Sequence, residues 1–193
     1  MVKLPEFTDA LSDEELAAVT VGPPRPFSGK VAIAPYDAEW PRLYEREADR
    51  IRAILGDRVL LLEHVGSTSV PGLPAKPIID IDLQVADTRD ENDYVPRLTV
   101  AGYVLVVREP DWYEHRMFKG PDTNVNLHVF GPQLEEVERH LLLRDWMREH
   151  PEDRDLYRDA KIELSQREFR NVHEYSAAKT QVVIGILQRA GAE

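Results

Sequence analysis

The chain has 193 residues, 42% of them hydrophobic and 31% charged, which suits an ordinary globular unit and excludes a disordered polymer. Its 24 basic residues stand against 35 acidic ones, and the net charge of -11 opposes the counterion release that drives binding to long nucleic acid. The lack of cysteine excludes disulfides, thiolate metal sites and cysteine nucleophiles, and with no apolar run of membrane-span length a cytoplasmic protein without membrane partners is the expectation.

Residues 1–29 read as an N-terminal extension. Ser12-Asp13-Glu14-Glu15 is a capping-box start to a short helix that runs out at Gly22-Pro23-Pro24, and a Pro-rich linker or arm leads to Ser28-Gly29. A short strand is expected at 31–33. Asp37 and Trp40-Pro41 then open a helix whose apolar residues Trp40, Leu43, Tyr44, Ala48, Ile51, Ile54 and Leu55 fall at helical spacing, stopped by Gly56. A strongly apolar strand at 59–65, a loop at 66–77 and a strand at 78–85 come next. A helix is expected at 87–101 and ends at Gly102. Short strands at 103–107, 115–119 and 125–130 complete this core of 30–132. From 133 to 193 the pattern is helical, roughly 133–149, 151–169 and 173–190. The layout is α+β: a mixed β-sheet with flanking helices and a C-terminal helical segment packed on the core.

The chemistry concentrates at Gly66-Ser67 and at Asp80-Ile81-Asp82. Alternate strand residues share a face, so Asp80 and Asp82 project together, away from Ile79, Ile81 and Leu83. Two carboxylates on a strand suit Mg2+, which usually takes one or two carboxylates plus substrate phosphates, and a glycine-bearing loop lets backbone N–H groups approach those phosphates. On 125–130 the residues Val125, Leu127 and Val129 are apolar, which leaves Asn126 and His128 to join the aspartates if the apolar faces meet the same helices. A histidine ligates transition metals and acts as a base near neutral pH.

Glu63-His64-Val65-Gly66-Ser67-Thr68-Ser69-Val70-Pro71-Gly72-Leu73 followed by Lys76-Pro77-Ile78-Ile79-Asp80-Ile81-Asp82 resembles the GrpB-like family, within the nucleotidyltransferase superfamily signature of Gly-Ser and Asp-hydrophobic-Asp. Further matches are Tyr36-Asp37, Trp40-Pro41, Asn126-Leu127-His128-Val129, Arg144-Asp145-Trp146-Met147-Arg148, Tyr157 to Lys161, Tyr175 and Lys179. The resemblance implies a nucleotidyltransferase-like core, with Gly66 and Ser67 at nucleotide phosphates and Asp80 and Asp82 on Mg2+ or Mn2+. Asn126 and His128 stand where the superfamily carries a third acid, so His128 is a candidate catalytic residue and both are candidate ligands.

The activity this resemblance implies is that of a transferase-like enzyme acting on a nucleoside triphosphate and a small acceptor. The alternative is an inactive module that binds a nucleotide or a coenzyme A-like molecule, since similar domains are attached to dephospho-coenzyme A kinase in some chains. That kinase's phosphate-binding loop is absent from this sequence. Lys76, Arg144, Arg148 and Lys161 are candidate phosphate ligands, with His64, His115, Arg116 and Lys179 as flanking candidates. Ion pairing at i, i+4 with Glu138, Asp145, Glu149 or Asp155 is the competing role for the basic cluster of the helical half. His140, His150 and His173 are expected on the surface.

Overall fold

A computed structural model describes residues 2–5, 10–23 and 29–193, so residues 24–28 of the Pro-rich linker lie outside the described residues. Helices are α1 (Asp13–Val19), α2 (Trp40–Leu55), α3 (Glu91–Val100), α4 (Glu135–Glu149), α5 (Pro151–Ser165) and α6 (Val172–Arg189). Strands are β1 (Gly29–Lys30), β2 (Leu61–Val65), β3 (Ile79–Gln84), β4 (Val104–Glu109), β5 (His115–Lys119), β6 (Val125–Phe130) and β7 (Glu168–Phe169).

The capping box at α1 forms as its sequence requires: the Glu15 N–H donates to Ser12 Oγ and the Ser12 N–H donates to the Glu15 carboxylate. Beyond it, the Val21 N–H donates to Val106 O at 3.0 Å, so the extension runs along the edge of β4 and covers unpaired strand backbone. Two expectations fail in detail. No strand forms at 31–33; the pairing is shifted to β1, which meets β7 antiparallel. The helix expected over 151–169 stops at Ser165, because 168–169 is drawn into that two-stranded ribbon.

Five strands form one sheet in the order β2-β3-β6-β5-β4, with β3 and β6 parallel and the other pairs antiparallel. One face packs on α2 and α3. Ile79, Ile81, Leu83, Val125, Leu127, Val129 and Phe118 meet Trp40, Ala48, Ile51, Leu55, Tyr94 and Leu98 there in a single core. Burying each such side chain contributes about 1.5–3 kcal/mol, and the period of two then fixes which residues are left for the opposite face.

A second core lies among the C-terminal helices. Val70 and Leu73 of the loop after β2 are fully buried against Met147, Tyr157 and Ile186, so α4, α5 and α6 hold that loop in place. Among the described residues no helix is long and apolar enough to cross a membrane.

Candidate functional site

On the sheet face away from α2 and α3, the register builds two lateral rows. One is Val65, Asp80, Asn126 and Lys119; the other is Glu63, Asp82, His128 and Met117. The parallel pairing of β3 with β6 thus sets Asp80 beside Asn126 and Asp82 beside His128. Glu63 is a third carboxylate on this face, on an earlier strand than the one that bears Asn126 and His128. It stands on β2 directly opposite Asp82, and the alternation of Leu61, Glu63 and Val65 carries that signal.

Asp80 accepts a 2.7 Å hydrogen bond from Asn126 Nδ2 at Oδ1, while Lys119 Nζ donates to Asn126 Oδ1 and fixes the amide's orientation. Burial pushes the Asp80 carboxyl up, but His128, Asn126 and Lys76 together outweigh it and hold the pKa below the usual value. Glu109 Oε2 lies 2.6 Å from His115 Nδ1, and His115 Nε2 lies 3.0 Å from His128 Nδ1. With Glu109 fixing the proton on His115 Nδ1, a neutral His115 accepts from His128 Nδ1–H, and His128 Nε2 turns toward Asp80, 3.9 Å away.

Asp82 is completely buried. Its Oδ2 lies 2.7 Å from Nδ1 of His140 on α4, whose Nε2 is 3.3 Å from Glu136. The surface role expected for His140 is therefore corrected. Burial alone would lower its pKa, yet Asp82 and Glu136 on either side raise it well above the usual value, so it sits there as an imidazolium. Asp82 Oδ1 is buried with no hydrogen-bond partner among the described residues. Such an oxygen costs stability unless a cation or water meets it. No cluster of three metal-binding side chains is present among the described residues. Asp80 and the unpartnered oxygen of Asp82 nevertheless suit a Mg2+ or Mn2+ ion that completes its shell from water and phosphate.

The loop supplies the cationic half. Gly66 adopts φ 67° and ψ -174° and lies so near Asp80 that a Cβ there would be 2.5 Å from Oδ2, so glycine is required for the loop to cross the carboxylate. Lys161 reaches from α5 with Nζ 2.9 Å from Ser67 Oγ and 2.6 Å from Pro74 O. Lys76 and Lys179 both lie over the Tyr175 ring, at 5.3 and 4.7 Å from its centroid, and the buried Tyr175 hydroxyl has no partner among the described residues. Burial, with repulsion from Lys179, lowers Lys161 to about 7 and Lys76 to about 8; Asp80 partly opposes the shift at Lys76.

The remaining candidates lie elsewhere or are already engaged. Arg148 donates through Nε and Nη2 to Ser69 O, and Arg144 to Glu63 and His64 O, so both brace the loop and β2, with Asp145 as their ion-pair partner. His64 faces α2, stacked on Tyr44 and 3.1 Å from Thr68 Oγ1; burial lowers it to about 4, so it supports the loop from beneath as a neutral ring. Arg116 is one residue out of phase with His115. It points to the helix side and pairs with Glu91, so it does not flank the site. His150 stacks on Trp146 and His173 is exposed.

Comparison with known proteins adds the family. The pattern described as GrpB protein matches residues 30–189. UPF0157 protein BH1888 of Halalkalibacterium halodurans is 54% identical over 94% of this chain and 93% of its own length. A dephospho-CoA kinase of Mycolicibacterium paratuberculosis is 31% identical over 77% of this chain, but over 43% of its own length. The crystal structure of conserved protein GrpB from Enterococcus faecalis superposes with a TM-score of 0.70 at 28% identity, covering 82% of this chain and 98% of that one.

Proposed function

The chain belongs to the GrpB family, and we propose on that premise that it is a nucleotidyltransferase-like transferase acting on a nucleoside triphosphate and a small acceptor. The observation that carries this reading is the gathering of Lys76, Lys161 and Lys179 at the Ser67 loop, beside the strand that bears Asp80 and Asp82. In a protein of net charge -11, the ammonium groups of Lys76 and Lys179 beside Lys161 at one loop form a local attractor for a polyanion. The lysines and the loop take the phosphates. Asp80 and Asp82 hold Mg2+ or Mn2+, which when bound supplies charge neutralisation at the transferring phosphoryl group. Asn126 and His140 fix the two carboxylates from outside, so that little reorganisation is needed on binding.

A second reading is a silent binding module for a nucleotide or a coenzyme A-like molecule. One observation favours it: Asp82 is already neutralised by the His140 imidazolium, so part of the negative charge that would attract a metal is used within the fold. The similarity to part of a dephospho-CoA kinase names the ligand class for that case.

Thermal shift with ATP, CTP, GTP, UTP and coenzyme A, each with and without Mg2+ or Mn2+, separates the two on wild type and Asp80→Ala/Asp82→Ala. Ligand at a hundred times Kd adds about 2.7 kcal/mol of stability. Metal-dependent stabilisation lost in the double variant supports the transferase; metal-independent stabilisation supports the module. No shift with any ligand sinks both.

A further inference from the structure

Lys161 is built into its site in a way that phosphate binding alone does not require. It is 2% exposed, whereas Ser67 is partly exposed, so a ligand meets the hydroxyl first with the amine behind it. Nζ lies 2.9 Å from Ser67 Oγ, 2.6 Å from Pro74 O and 4.8 Å from the Tyr157 ring centroid. Among the described residues no carboxylate pairs with it. The titratable groups that face it are Tyr157 on its own helix and Lys179 on α6, with Lys76 and Tyr175 beyond Lys179. Burial and the Lys179 charge bring it to about 7, which makes the neutral amine abundant at neutral pH.

A neutral amine has two N–H bonds and one lone pair. With Pro74 O taking one N–H and the Tyr157 ring centroid 4.8 Å from Nζ, the lone pair is left for the proton of Ser67. A serine hydroxyl is a poor nucleophile until a neighbouring base takes that proton, and lysine serves as this base in serine–lysine dyads on unrelated folds.

We propose that Ser67 and Lys161 form such a dyad, and that Ser67 accepts a nucleotidyl group from the bound nucleoside triphosphate. The proposal rests on the reading of the lysine cluster as a triphosphate site. Ser67 Oγ forms a bond to the α-phosphorus, the bond from that phosphorus to the bridging oxygen of the β-phosphate breaks, and diphosphate leaves with the electron pair. The hydroxyl proton passes to Lys161 Nζ. Lys76 and Lys179, the two cations beside it, offset the charge on the departing diphosphate. These flanking cations are why the electrophile assigned is a phosphoryl centre rather than an acyl one.

Incubating the full chain with each of the four nucleoside triphosphates and Mg2+ or Mn2+, then measuring intact mass and mapping peptides, tests this. Wild type gains one nucleoside monophosphate, less water, at Ser67. Ser67→Ala gains none, and Lys161→Arg, which keeps a cation but loses the base, slows labelling by about 100-fold or more. Should either variant fail to fold, the wild-type pH profile decides: the labelling rate climbs with pH and levels off above about 7. A flat profile, labelling that survives Ser67→Ala, or labelling indifferent to Lys161→Arg overturns the dyad. A wild-type thermal shift with nucleotide but no adduct overturns the dyad while leaving the triphosphate site standing. Neither shift nor adduct overturns both.

Discussion

Replacing Gly66 by alanine tests whether the loop and the carboxylate are one device. With φ 67° and ψ -174°, Gly66 occupies a backbone region that is essentially closed to other residues, and forcing a side chain into it costs about 1–3 kcal/mol. The added Cβ meets Asp80 Oδ2 at 2.5 Å, Asp80 Cβ at 3.1 Å and Asp80 Cγ at 3.2 Å. Rotating the carboxylate relieves only the first contact, because β3 is held between β2 and β6 and its Cβ cannot retreat. Asp80 then gives up the hydrogen bond from Asn126, and a bond to a charged group is worth about 1.5–3 kcal/mol. Gly66→Ala should therefore lose about 2.5–6 kcal/mol in urea denaturation. Gly72→Ala is the matched control. Its φ of 79° imposes similar backbone strain, but nothing lies within 4 Å of the new Cβ, so about 1–2 kcal/mol is expected. Gly66→Ala should also abolish metal-dependent nucleotide stabilisation, while Gly72→Ala keeps most of it. Equal losses in the two variants, or an intact nucleotide shift in Gly66→Ala, would refute the coupling of loop to carboxylate.

The ion pairs give three further expected outcomes. His140 is held charged by Asp82 and Glu136, so its contribution to stability is complete below the ordinary histidine pKa and is lost as pH rises through the elevated native value. NMR titration should find its ring still protonated at neutral pH and should find the transition moved down in Asp82→Asn; a wild-type transition at or below 6.5 refutes the pairing. Asp153 ties three helices together by accepting from Trp146 Nε1 at 2.7 Å and from Arg189 at 2.5 Å. Arg189 chiefly lowers its pKa below the usual 3.8, so this stability is present above that value and fades as pH falls through the lower native one. Since Arg189 is half exposed, Asp153→Ala should cost only about 2 kcal/mol at pH 7, and urea midpoints of the two proteins should converge in acid. Arg116→Gln removes one of the two guanidinium partners of Glu91 on the helix side, with Arg108 still paired to it, and should cost about 1–3 kcal/mol while leaving the nucleotide thermal shift unchanged; a lost shift would place Arg116 back at the site.

Alternation carried much of the sheet. Two strands with apolar residues at odd positions must bury them on the same helices, and this alone places Asp80, Asp82, Asn126 and His128 on one face. The same parity, applied to β2 and β5, separates Glu63 from His64 and His115 from Arg116, so those positions are legible in the strand pattern itself. His140 is not. On α4 it occupies a polar helical position like any surface histidine, and only the docking of that helix against the sheet brings its Nδ1 to 2.7 Å from Asp82 Oδ2. Short pairings are equally opaque, since the two-residue ribbon of β1 and β7 depends on the C-terminal helices bringing 168–169 back to the chain's start.

The C-terminal helices also decide what the Ser67 loop can do. The sheet supplies carboxylates, but the loop's shape is imposed from the other side: Val70 and Leu73 are sunk into the second core, Arg148 holds Ser69 O, and Lys161 holds Ser67 and Pro74. On the proposed reading, a strand-borne aspartate pair therefore becomes a phosphate site only when α4, α5 and α6 are docked. Burial of the loop's apolar residues is thus coupled to the placement of its polar ones. A substitution that loosens the second core, such as Leu73→Ala at about 2–5 kcal/mol, should weaken nucleotide binding although Leu73 touches no proposed ligand. Measured by thermal shift against the destabilised baseline, a nucleotide effect equal to wild type would show that the loop keeps its shape without the helices beneath it.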